Sequence, residues 1–231
     1  MLFAELPLGL RMDGFWQSLV TFNAPRVFNP WRDVDTSDAK PLEEDPSPSS
    51  PGPAGRLARL RAHFDCSPRF LLVGEAPGYQ GCHISGIPFT NEALLLKGSI
   101  PRMRVDSRLT TRPRPWCEPS ATIMWGILEE LGIADQVVLW NAFAWHPHKP
   151  ENVYSNRTPS RAELTLGHPV LKGVLSRFRG AAQLLAVGQV AAKTLAGLGH
   201  APCAVLRHPA MGGANQFREG LRSLLHTKRA A

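Results

Sequence analysis

Three apolar runs of strand length, RFLLVG (69–74), QVVLWN (136–141) and QLLAVG (183–188), are each closed by glycine or asparagine, and a weaker fourth, CAVLR, covers 203–207. Helical patterns stand between them. GRLARLRAHF repeats Leu57, Leu60 and Phe64 on one face, and Ser120 can cap ATIMWGILEELG, with Gly132 as its stop. Pro169 can start VLKGVLSRF at the first helical position, QVAAKTLAGLG follows the third strand, and ANQFREGLRSLLH comes last. Strands apolar on both faces and alternating with helices predict a parallel sheet covered on two sides. The expected fold is therefore α/β, a single-domain three-layer αβα sandwich with a central, mainly parallel four-stranded sheet.

Before the first strand the pattern is different. GFWQSLVTF (14–22) has the makings of a short helix, but from Asn29 to Gly55 the chain is rich in turn residues and proline. The expected division is 1–55 as an N-terminal extension with a Pro/Ser-rich linker or loop, and 56–231 as the functional domain. The first residues, MLFAELPLGLRMDGFW, carry Glu5 early and lack a basic start followed by a long apolar run, so they do not read as a secretion signal. With no stretch of eighteen apolar residues either, the expectation is a cytoplasmic protein with no membrane partner. A formal charge of +7 favours a polyanionic partner such as nucleic acid. Cys66, Cys82, Cys117 and Cys203 form no Cys-x-x-Cys pair and read as reduced thiols.

Ligands of open parallel sheets bind beyond the carboxyl ends of the strands, which directs attention to the segments after Val73, Trp140, Val187 and Leu206. The first strand runs into GEAPGYQGCHISGIPFTNE (74–92), whose glycines let the backbone turn sharply and approach a ligand. The second ends at Asn141, and the last at Arg207 and His208 in RHPAMGGANQF. A carboxylate, an amide, an imidazole and glycine loops thus converge on one edge.

These residues resemble the uracil-DNA glycosylase superfamily. Gly74-Glu75-Ala76-Pro77-Gly78 with Gly86-Ile87-Pro88-Phe89 is similar to the first motif of its fourth, iron–sulfur family. Asn141, Asn156-Arg157-Thr158-Pro159 and Glu163 match that family's middle region, and His208-Pro209 matches its last motif. The resemblance runs from about Phe70 to Leu221 and implies a DNA repair enzyme that flips a deaminated base, uracil foremost, and hydrolyses its N-glycosidic bond. It assigns catalysis to Glu75 and His208. Base binding falls to Gly74, Ala76, Pro77, Gly78, Phe89 and Asn141. DNA contact falls to Ser85, Arg207, Pro209, Met211, Gly212, Gly213 and Arg218, with Met211 as an apolar wedge on a flexible glycine mounting. The implied partner is DNA containing deaminated bases, and the implied location is near the nucleoid.

The sequence also departs from that family. Its cluster is held by four cysteines, whereas here no cysteine pair precedes the first motif and His146 and His168 take the two later positions. The reading is a relative without the cluster and with no cofactor or metal. Position 78, where the most uracil-restricted relatives carry a bulky side chain, is glycine. Lys97 to Pro115 holds six basic residues and one acidic, and reads as a DNA-backbone arm or a solvated loop. His146 and His148 flank Pro147, an awkward spacing for metal ligands on a helix. A noncatalytic damage-binding protein of the same fold and a nucleotide-binding α/β enzyme that shares only the glycine loop are the rival readings.

Overall fold

The computed structural model describes residues 14–40 and 46–226. The reading of the first thirteen residues, and the parts of the linker and domain calls that fall on 41–45 and 227–231, lie outside the described residues. In chain order the elements are α1 (Gly14–Thr21), β1 (Val27–Phe28), α2 (Gly52–Phe64), β2 (Phe70–Gly74), α3 (Cys82–Ser85), α4 (Glu92–Lys97) and α5 (Pro119–Glu130). Then follow β3 (Val137–Asn141), β4 (His146–Pro147), α6 (Arg161–Arg177), β5 (Gln183–Val187), α7 (Gln189–Gly197), β6 (Ala204–Leu206) and α8 (Ala214–His226).

The four predicted strands form one parallel sheet in the order β3-β2-β5-β6. Side chains alternate between its faces as strand geometry requires. Leu71, Val73, Val138, Trp140 and Ala186 point into one core, shared with Trp16 and Leu19 of α1, Val174 of α6 and Leu195 of α7. Phe70, Leu72, Val137, Leu139, Leu185 and Val187 point into the other, shared with Trp125 and Leu128 of α5 and Phe217 and Leu221 of α8. The result is the three-layer sandwich. The order of strand addition reverses between β2 and β5, the chain passing from β2 outward to β3 and then back across to β5, and the crevice beyond their carboxyl ends is where such sheets bind ligands.

Two helix starts differ from the sequence reading. Helix α6 begins eight residues before Pro169, because Ser160 and Glu163 form a reciprocal capping box and Arg157 grips Glu163 through two bonds of 2.6 and 2.8 Å. Pro169 sits inside it, lacking the N–H that would have bonded the carbonyl four residues back. Helix α5 is capped at Glu118, with Pro119 at its first position, and Ser120 is already inside.

The boundary drawn at Arg56 also does not mark a break in packing. Helix α2 begins at Gly52, and Trp16, Leu19, Val27 and Trp31 are buried in the core beneath β2 and β3. The turn-rich residues 29–40 and 46–50 have few apolar side chains, so their attachment by buried polar groups left no hydrophobic pattern to read. Asn29 illustrates this, donating to the carbonyls of Leu19 and Phe22.

The basic stretch 97–115 covers the exposed edge of the sheet. Strand β3 is an outer strand, and such edges need a partner for their free N–H and C=O groups. The Leu139 amide donates to His63 Nε2 at 2.8 Å, and Arg102 donates to the carbonyls of Val137, Asp135 and His63. Arg108 is held by Glu92, a buried carboxylate that also accepts from the amides of Leu109, Thr110 and Trp116 and from the Thr110 hydroxyl. Arg112 stacks 3.6 Å above the Trp116 ring. The arm reading is therefore corrected for Arg102 and Arg108, which are structural.

Neutralising Arg102 or Arg108 is expected to lower stability by about 1–3 kcal/mol each, since each removal leaves buried partners unsatisfied. The salt dependence of DNA affinity should not change; thermal melts and binding titrations at several salt concentrations check this. His63 gives a second expectation. Burial, aided by Arg102, holds its pKa at about 3 against an ordinary value of 6.5. The unfolded chain therefore takes up a proton that the folded one refuses, so this contribution is complete above pH 6.5 and is lost as pH falls toward 3. Urea midpoints measured from pH 7 to 4.5 should decline, and less steeply in His63→Gln.

Candidate active site

A cavity of about 640 Å³ opens beyond the carboxyl ends of the strands. Its walls come from the loop after β2 (Glu75, Ala76, Pro77, Gly78, Gln80), the start of α5 (Glu118, Pro119, Ser120), the 156–158 segment, and the loop after β6 (His208, Ala210, Met211). Both residues assigned to catalysis therefore face one space. The Glu75 side chain has no hydrogen-bond partner among the described residues, while its backbone carbonyl anchors the loop by accepting from the Phe143 amide. Tyr79 fixes the loop further, its amide donating to Asn156 Oδ1 at 3.0 Å.

His208 is held in a defined tautomer. Its Nδ1 accepts from the Ala210 amide at 3.2 Å, so the ring hydrogen resides on Nε2 and is free to be donated. Burial and the neighbouring Arg207 lower its pKa, which keeps the ring neutral. A neutral donor in a partly dry site suits an oxygen on which negative charge develops.

One layer deeper, Gly74, Phe89 and Asn141 pack on each other. A Cβ at Gly74 would stand 2.4 Å from Phe89 Cζ and 2.8 Å from Asn141 Oδ1, so only glycine lets ring and amide approach this strand end. Phe89 adopts a left-handed φ of 51° and lies 5.8 Å from the His208 ring, centroid to centroid. Asn141 Oδ1 is buried and has no partner among the described residues. An unpaired buried acceptor costs about 1–3 kcal/mol, and such costs persist where a ligand supplies the missing donor.

The residues assigned to DNA contact divide. Met211 is 92% exposed with φ 55°, an apolar side chain standing in solvent on a strained backbone. Gly212 is left-handed beside it. Gly213 is not a flexible mounting, because a Cβ there would lie 2.0 Å from the His208 carbonyl oxygen; glycine is needed for close packing. Arg207 is exposed, and Arg218 bonds Glu130 and Asn215 at the surface. Pro209 is buried beneath the loop. Ser85 is also corrected: it is fully buried, its hydroxyl bonding the carbonyls of Ile87 and Thr90, so it braces the first motif from inside.

Sequence reasoning missed two features. Glu118 contributes a second carboxyl to the cavity; an acidic residue directly before a helix-starting proline was its signal. Behind the site, His83 lies between Asp35 and His146, and Tyr154 and Ser37 also donate to Asp35. Burial alone would raise the Asp35 pKa, but these bonds, above all that from His83, hold it well below the carboxylate range. His146 reaches on to the Ser155 carbonyl, next to Asn156 of the cavity wall. His83 and Asp35 are 48 positions apart, which no sequence spacing reveals.

The donors for an iron–sulfur cluster do not converge. Cys82 is buried with its thiol pKa pushed well up by burial, Cys117 and Cys203 are exposed on separate segments, and no three His, Cys, Asp or Glu side chains group for a metal among the described residues.

The model of the Uracil DNA glycosylase superfamily matches residues 62–228. The chain belongs to the uracil-DNA glycosylase superfamily. The matched segment contains every side chain that lines the cavity. The superfamily is one of DNA glycosylases, so the function is of DNA-glycosylase type and DNA is its class of substrate. In fold, the chain is similar to wild-type SMUG2 of Pedobacter heparinus, with a TM-score of 0.61 at 13% identity over 95% of this chain and 100% of that chain. A search of curated proteins gives no match.

Replacing Asn141 with leucine removes the orphaned acceptor at similar volume. Stability in urea is expected to be no lower than that of the unsubstituted protein, a result that a structural role for the amide would not give.

Proposed function

We propose that this glycosylase removes deaminated bases from DNA, uracil first among them, and leaves an abasic site. The observation that carries the reading is the unpaired Asn141 acceptor buried one layer behind the His208 Nε2–H donor. Deamination turns a ring nitrogen that accepts into one that donates, and an exocyclic amino group into a carbonyl. Uracil then offers N3–H to Asn141 Oδ1, whereas the N3 lone pair of cytosine would face that oxygen unpaired. A site built to bond an N–H rejects the base lacking it, because its own buried group stays unsatisfied.

In the reaction, the bond between base and C1′ breaks with positive charge growing on the sugar and negative charge on the base. His208 donates from Nε2 to the base oxygen that gathers this charge. Glu75, with its carboxylate unpartnered, stabilises the sugar cation and takes the proton from the water that adds to C1′. Met211 fills the space left in the duplex by the extruded nucleotide, and Arg207 meets a phosphate. The work is that of a cytoplasmic, nucleoid-associated protein without a cofactor. A noncatalytic damage binder would use the same pocket and wedge without turnover.

Incubation with oligonucleotides carrying uracil, hypoxanthine or xanthine, followed by alkaline cleavage of abasic sites, tests the reading. Strand breaks at the lesion are expected; lesion-dependent binding without breaks would leave the damage-binder reading, and neither would remove both. His208→Ala should slow single-turnover excision by roughly 10²–10³-fold, about 3–4 kcal/mol, as expected for loss of one preorganised donor. Met211→Gly relieves the left-handed strain and should raise stability slightly, while weakening damaged duplex more than undamaged duplex in anisotropy titrations.

A further inference from the structure

Glu118 occupies the N-cap of α5, where a side chain ordinarily bonds the free N–H groups of the first turn, yet it makes no such bond. It turns to the cavity, which it lines together with Glu75 and His208. A Cβ at Gly81 would stand 1.9 Å from its Oε2, and one at Gly78 would stand 3.2 Å from its Oε1. The carboxyl therefore occupies room that side chains at either loop position would claim, and glycine at both is what admits it.

Its hydrogen bonding is sparse. The Ser120 hydroxyl donates to Oε1 at 2.8 Å, and no cation lies within ion-pair distance among the described residues. Glu92 shows what a structural buried carboxylate looks like in this fold, with Arg108 and four further donors around it. Burial raises the Glu118 pKa, and Ser120 offsets this only in part. A carboxyl so placed costs stability and leaves most of its acceptor capacity unfilled by the described residues.

We propose that Glu118 is a specificity-determining residue: its carboxyl touches the extruded base along the edge facing the glycine loop, and discriminates by the polar group that this edge carries. The proposal rests on the base-extrusion reading above. A base presenting an N–H or O–H donor there gains a charge-assisted bond. A base presenting only C–H or methyl leaves the anion unpaired, and a carbonyl oxygen is repelled.

The test uses duplexes in two pairs, uracil with 5-hydroxymethyluracil, which differ at C5, and hypoxanthine with xanthine, which differ along the C2–N3 edge. Single-turnover rates and dissociation constants are measured for the full chain, Glu118→Gln and Glu118→Ala, so that binding without turnover still reports. The glutamine variant keeps the shape and removes the charge. The expected result is a change of about tenfold or more in the preference within one pair or both, the scale of a hydrogen bond to a charged group. A common factor across all four bases, or no change in any ratio, would overturn the proposal while leaving base excision intact. A full chain that neither excises nor distinguishes any of the four would remove the excision reading and the proposal with it.

Discussion

Two guanidinium groups on α2 hold the irregular half of this molecule in place. Arg56 and Arg59 are completely buried. Arg59 donates to the carbonyls of Ser85, Ile84, Pro48 and Ser50, and Arg56 to those of Ile84, Pro30 and Asp33 and to the Asp38 carboxylate. Buried loops carry carbonyls that no helix or ladder satisfies, and a guanidinium supplies five donors in a fixed fork. Burial brings the Arg59 pKa down to about 9, which still leaves it charged at neutral pH. The first-motif loop and the turn-rich N-terminal segment therefore close around the same two side chains.

The sheet was legible because its signal is local and periodic. Apolar runs such as RFLLVG and QVVLWN need burial on two faces, and only a covered parallel sheet provides it. Glu75, Asn141 and His208 were legible for a related reason: Glu75 follows β2, Asn141 ends β3 and His208 comes two residues after β6, where the fold itself puts binding sites. What escaped were interactions whose partners are distant in sequence. Arg102 looked like a free cation because nothing near it shows that the Val137 carbonyl is its acceptor. Ser85 looked exposed because its motif is a loop, and that loop is packed under α2. Pro169 looked like a helix start because Glu163 was read as part of a motif and its capping partner Ser160 was not noticed.

The site is arranged by differences in satisfaction among its polar groups. Asp35, Glu92 and Glu163 are carboxylates surrounded by donors, and each has its pKa lowered by them, Glu163 to about 2 through Arg157. They fasten segments together. Glu75, Glu118 and Asn141 have few partners or none, and they belong to the cavity wall or lie directly behind it. One fold thus separates its polar residues into those that fasten segments together and those left with little pairing, among the described residues, at the cavity.

The loop after β6 is tied together by a short run of bonds. The Ala210 amide is bound to the His208 ring, the Gly213 amide to the Ala210 carbonyl, and the Phe217 amide at the start of α8 to the Gly213 carbonyl. Gly213 lies against the His208 backbone with no room for a methyl group. Met211 stands at the crest of this closed ring of bonds. Crest and imidazole are therefore held by one short network, and a change of backbone at Gly213 reaches both.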